Sequence, residues 1–129
     1  MAYENRTPIS YSLGTVDFGA GNTTHKILGP DGHTGRIVDI HLDISETFTQ
    51  VTTPGYLRVG TSTDADAYAE LTLGTTAAIN TAFNFASQAA ADKKTNITAD
   101  SLVYVAGIAP TGGTPAGIAK VTVVIDWWK

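Results

Sequence analysis

Hydrophobic and polar residues alternate most regularly between Arg36 and Glu46, where Val38, Ile40, Leu42 and Ile44 interleave with Asp39, His41, Asp43 and Ser45. A period of two over that length predicts a strand with one buried and one wet face, with Ile37 as the single residue out of phase. The same period returns near the C-terminus. There Val121, Val123, Ile125 and Trp127 share one face, while Lys120, Thr122, Val124, Asp126 and Trp128 share the other. Shorter alternating runs lie at Tyr56 to Thr61, with Leu57 and Val59 inward, and at Ala67 to Leu73, with Ala69, Leu71 and Leu73 inward. Ser101 to Ala109 reads as a further strand, as do Thr23 to Leu28 and Ile9 to Phe18, the last broken by a bulge or bend at Gly14.

Turn residues separate these runs. Gly29-Pro30-Asp31-Gly32 predicts a turn with proline at its second position, and Thr52-Thr53-Pro54-Gly55 a type II turn with Gly55 at positive φ. Pro110 to Gly117 reads as a polar, glycine-rich hairpin loop longer than a minimal turn. The stretch from Thr75 to Lys94 fits two periods. Ile79, Ala82, Phe83, Ala86 and Ala90 have helical spacing, yet Phe83-Asn84-Phe85 fits a strand. The reading adopted is a strand near Thr81 to Ala86 followed by a helical turn through Ala89-Ala90-Ala91, with one continuous helix as the alternative.

About eight strands result, without the βαβ alternation of a parallel sheet. The expected fold is all-β, an antiparallel β-sandwich of jelly-roll type. Residues 1–8 form a polar N-terminal arm and residues 9–129 a single domain. Composition supports this reading: twenty threonines stand against three glutamates and one methionine, a bias toward pleated surfaces over helices. At 129 residues there is room for one self-sufficient core.

Charge and chemistry remove function classes more than they select one. The chain has no cysteine, which excludes disulfides, thiolate metal sites and a cysteine nucleophile. Its net charge of −4 is a poor basis for holding nucleic acid directly. No apolar run is long enough to cross a bilayer, and the first residues lack the apolar core of a signal peptide. Asp39, His41 and Asp43 share one strand face and have a metal-like look, but their spacing of about 7 Å is wide for one ion. His25 and His33 flank the Pro30 turn and would meet only across a hairpin. Asp64 and Asp66 lack the glycine and distal glutamate of a calcium loop. No serine sits in a nucleophile elbow, Ser12 and Ser45 included, and Gly112-Gly113 lacks the lysine of a phosphate loop. The three Asn-x-Thr sequons, at Asn5, Asn22 and Asn96, read as chance in a threonine-rich chain. No catalytic residue, metal ligand or cofactor is expected.

Trp127-Trp128 is the most informative surface feature, because adjacent strand residues face opposite sides. Trp127 continues the buried face, which leaves Trp128 outward to stack on a sugar or anchor a neighbouring subunit, or as a frayed end.

Three groups of segments together resemble the small β-rich virion proteins of tailed bacteriophages, in particular head decoration (cement) proteins. They are Leu13-Gly-Thr-Val-Asp-Phe-Gly-Ala-Gly-Asn-Thr-Thr-His with Gly29-Pro-Asp-Gly-His-Thr-Gly-Arg-Ile, Thr53-Pro-Gly-Tyr-Leu-Arg-Val-Gly-Thr with Tyr68-Ala-Glu-Leu, and Pro110-Thr-Gly-Gly-Thr-Pro-Ala-Gly with Val121-Thr-Val-Val-Ile-Asp-Trp. The resemblance covers the chain from about Leu13 onward and rests on turns and strands. It implies a non-enzymatic structural protein, made in the bacterial cytoplasm and placed on the outer capsid surface as a homotrimer bound to the major capsid protein. It carries over no functional residue. Tyr56, the loop residues Thr111, Gly112 and Gly113, and Trp128 are the candidate interface. The alternative is a receptor- or carbohydrate-binding module of a tail fibre built on the same residues.

Overall fold

The structure is a computed structural model that describes residues 7–49, 52–73, 82–84 (backbone path only) and 96–129. Eight strands occur among these residues: β1 (Thr7–Asp17), β2 (Thr23–Leu28), β3 (Thr34–Thr49), β4 (Tyr56–Gly60), β5 (Ala69–Thr72), β6 (Ala82–Asn84), β7 (Leu102–Ile108) and β8 (Ala116–Trp128). A short 3₁₀ turn at Phe18–Ala20 joins β1 to β2, and the Asp17 carboxylate caps it by accepting the Ala20 N–H at 3.2 Å.

The pairing defines the fold. β1 pairs with β8, β2 with β7, β3 with β6 and β4 with β5, all antiparallel, so the two halves of the chain form one long hairpin. Two further antiparallel pairings, β8 with β3 and β7 with β4, roll that hairpin into two sheets. The first sheet runs β1-β8-β3-β6 and the second β2-β7-β4-β5. This is the double-sheet jelly roll, as expected from the strand count.

The inner faces of both sheets supply the core. From the first come Ile40, Leu42, Ile44, Val121, Val123, Ile125 and Trp127; from the second, Leu57, Val59, Leu71, Val103 and Val105. Phe18 and Phe48 meet in a tilted pair, with ring centroids 5.1 Å apart. Trp127 lies at the opposite end of β8, where its indole N–H donates to the Tyr11 hydroxyl at 3.0 Å. Gly35 leaves room for this ring, since a Cβ there would sit 2.5 Å from it.

Several local expectations are corrected. Along β3 the buried residue is Ile37, 6% exposed, while Val38 is 42% exposed. The register explains why: Ile37 faces Ile125 and Asp39 faces Val124, so Val38 is the extra residue of a bulge that shifts the alternation by one. Gly55 is not among the residues at positive φ. It lies buried, with its carbonyl accepting the Leu73 N–H at 2.9 Å, and a Cβ there would approach the Ile108 carbonyl at 3.3 Å. Close approach, not turn handedness, is its requirement. In the β2–β3 turn the His33 N–H donates to the Pro30 carbonyl, which makes Pro30 the first turn residue instead of the second. Gly32 takes the positive φ of 69° at the third position, and its N–H donates to the Asp100 carboxylate at 2.7 Å.

Element boundaries also move. Thr7 and Pro8, expected in the arm, already pair with Trp127 and Asp126. β6 covers the centre of the strand expected at Thr81 to Ala86, whereas the helical turn at Ala89-Ala90-Ala91 lies outside the described residues. The Gly14 irregularity is present: β1 shifts register between Ser12 and Gly14, and Gly14 has φ 75°.

Candidate functional site

Antiparallel wrapping sorts the loops to the two ends of the sandwich, and this separates the candidate interface residues. Tyr56 opens β4 opposite Ile108 at the end of β7, at the end of the sandwich that carries the β7–β8 loop. Thr111 of that loop is tied to the chain before β4. It forms a bridge with Thr53, whose N–H and carbonyl both bond the Thr111 backbone, and the two threonine hydroxyls pair. Thr52 also donates its N–H to the Thr111 carbonyl at 3.0 Å. Gly112 and Gly113 follow at φ 91° and 66°, and a Cβ at Gly112 would collide with Thr52. The loop is therefore stapled to the β3–β4 connection.

Trp128 lies elsewhere. It ends β8 opposite Thr34, partly buried, on the outer face of the first sheet. From Ala116 to Trp128 a strand rises about 40 Å, so Trp128 and the glycine loop sit at opposite ends of the molecule. Tyr56 is moreover on the outer face of the second sheet. One flat contact cannot hold all five candidates.

The two outer faces differ in chemistry. On the first sheet, Ser10, Ser12 and Thr15 of β1 lie beside Val124, Thr122 and Lys120 of β8, with Asp39, His41 and Asp43 of β3 beyond. His41 Nε2 stands 3.4 Å from Asp43 Oδ1, while Asp39 Oδ1 is buried with no hydrogen-bond partner. Among the described residues, no group of three His, Cys, Asp or Glu side chains could hold a metal ion. The pleat brings His41 and Asp43 together as a pair, without Asp39 as a third ligand.

On the second sheet the outward residues are Thr24, Lys26 and Leu28 of β2, Leu102, Tyr104, Ala106 and Ile108 of β7, Tyr56 and Arg58 of β4, and Glu70 and Thr72 of β5. Leu28 and Leu102 are cross-strand partners, 64% and 42% exposed. The Lys26 ammonium lies 5.6 Å from the centre of the Tyr104 ring. The Arg58 guanidinium lies 4.7 Å from that of Tyr56 and is held from the other side by Glu70 at 2.7 Å. Two tyrosines, each with a cation over its ring, flank an exposed leucine pair on this face, and tyrosine and arginine are types enriched at protein contacts. Leu28, Leu102 and Tyr104 escaped the sequence reading of the interface. The available signal was β7 itself, where the residues at 102, 104, 106 and 108 are as apolar as the buried row between them.

The remaining candidates resolve into local roles. β2 and β3 belong to different sheets, so His25 and His33 have no shared hairpin across which to meet. His33 Nδ1 lies 2.8 Å from the Asp31 carbonyl, within its own turn. The Asp64 carbonyl accepts the Thr61 and Ala67 N–H groups, and its own N–H donates to the Thr61 hydroxyl, as a turn residue does. The Ser45 hydroxyl donates to the Ile118 carbonyl at 3.3 Å.

Comparison with protein-family models, with curated proteins and with solved structures finds no match to this chain.

Proposed function

We propose that this chain is a structural virion protein, one that binds the outside of a tailed-bacteriophage head as a homo-oligomer and stabilises the shell of the major capsid protein. The observation that carries the reading is the outer face of the second sheet, with its exposed Leu28–Leu102 pair beside Tyr104, Tyr56 and Arg58. Tyrosine and arginine anchors around an apolar centre suit a protein partner. The jelly roll is a frame used by capsid proteins and by lectins, and fold alone does not choose between them. Charge agrees with an exterior position, because a chain of net charge −4 has little attraction for packaged DNA. Many copies bound at several points each would stabilise the assembled shell by mass action and multivalency.

The test is direct binding. Purified protein mixed with heads that lack it should co-sediment with them and raise their resistance to heat. Leu28→Asp with Leu102→Asp should abolish co-sedimentation while leaving the β-rich circular dichroism spectrum intact. Heads that bind neither protein, together with a host glycan that quenches tryptophan fluorescence, would give the molecule to the tail-fibre receptor-binding alternative.

A further inference from the structure

A sheet edge offers unpaired N–H and C=O groups, and folded proteins blunt such edges with short strands, charges, prolines or bulges. Here β2, β5 and β6 are edges alongside β1. Three of them are short. β6 has three residues, β5 has four and carries Glu70, and β2 has six and carries Lys26. β1 is 11 residues long and carries no charged side chain before Asp17; Pro8 and the bulge at Gly14 close off its two ends and leave Ile9–Leu13 open between them, and among the described residues nothing pairs with that free side.

The sequence of β1 is also nearly its own mirror image. Thr7-Pro-Ile-Ser-Tyr-Ser-Leu-Gly-Thr15 reads similarly in both directions about Tyr11. An antiparallel pair of identical strands centred there would place Tyr11 opposite Tyr11, Ser10 opposite Ser12 and Ile9 opposite Leu13, like against like over these five residues, with Pro8 opposite Gly14 at the ends of the ladder. A two-fold interface requires this self-complementarity. Ile9, Tyr11 and Leu13 are only partly buried against the core, so the pairing would cover an open flank. Tyr11 is already held in place by the Trp127 indole N–H.

We propose that two copies of this chain associate by antiparallel pairing of their β1 edges about a two-fold axis at Tyr11, joining their first sheets into one continuous sheet. The occupant of the edge is a second copy because the register leaves no charge opposed and matches each side chain from Ile9 to Leu13 to its equivalent in size and polarity. The contact is small. A ladder of this length buries less than the roughly 1,600 Å² of a standard interface, so association is concentration-dependent. Two-fold pairing yields a dimer, in place of the trimer that the resemblance implies.

Sedimentation of the full chain over about 10 µM to 1 mM should show the mass rising from one chain to two. Ser10 and Ser12 are exposed, so Ser10→Lys with Ser12→Lys should keep the fold and hold the protein monomeric across that range. Ser10→Glu with Ser12→Glu should do the same, and an equimolar mixture of the two variants should recover the dimer. The register has its own readout in this cysteine-free chain. Under oxidation, a mixture of Ser10→Cys and Ser12→Cys proteins should cross-link between the two variants and much less within either alone. A mass of three chains, a wild type that stays monomeric throughout, a lysine variant that still dimerises, or a mixture that does not recover would each overturn the proposal.

Discussion

The bulge at Val38 decides which of two adjacent aliphatic residues is core. Strict alternation from Val38 to Ile44 places Val38 inside, but one extra residue in β3 turns it outward and brings Ile37 in against Ile125. Burial then sets opposite costs for neighbours of nearly the same size. Ile37→Ala should destabilise the protein by about 2–4 kcal/mol, the range for emptying an aliphatic core site. Val38→Thr should change stability by no more than about 0.5 kcal/mol, as an exposed substitution does. Urea unfolding of the two variants checks this, and a larger loss for Val38→Thr would mean that the bulge lies elsewhere.

At the scale of elements, the strands were legible where one face is wet and the other dry. β8 and β4 keep their alternation, because the extra residues of the bulges against β8 lie in β1 and β3, and β4 pairs in register with β7. Turns were less legible, since their geometry answers to distant chain. Gly55 packs tightly against the carbonyl of Ile108, and Gly32 is held by Asp100, 68 positions away. The candidate interface suffered from the same limit. Proximity in space of Tyr56 to Thr111 comes from β4 pairing with β7, which no local pattern reports. The β7–β8 loop gives a test at this scale. Gly112 combines φ 91° with a Cβ position blocked by Thr52, so Gly112→Ala should cost about 1–3 kcal/mol. Gly113→Ala, at φ 66° near the left-handed helical minimum, should cost less, about 1 kcal/mol. Equal thermal midpoints for the two variants would show that the staple to Thr52 adds nothing to backbone strain.

For the whole molecule, under the capsid role proposed above, the question is which side would face the shell. The outer faces of the two sheets point in opposite directions, and the residues with interface character fall on both. Tyr56 lies on the second sheet with the leucine pair, Tyr104 and Arg58; Trp128 lies on the first, at the other end, among serines, threonines and aspartates. A single flat docking surface reads one face only. With the second sheet docked, Tyr56→Ala should weaken binding to heads by about 2 kcal/mol, roughly thirtyfold, as the loss of a buried aromatic anchor does. Trp128→Ala should leave that affinity within about twofold, because its face points away. The comparison also controls for folding, since both residues are partly buried on outer faces and neither contributes to the core. The reverse result, a large loss at Trp128 and none at Tyr56, would turn the molecule over. It would set the polar face of the first sheet against the shell, with the leucine pair left outward. Equal losses at both would require a capsid surface that reaches around the sandwich, and the double variant would then lose the sum of the two within about 0.5 kcal/mol, since the sites share no neighbours.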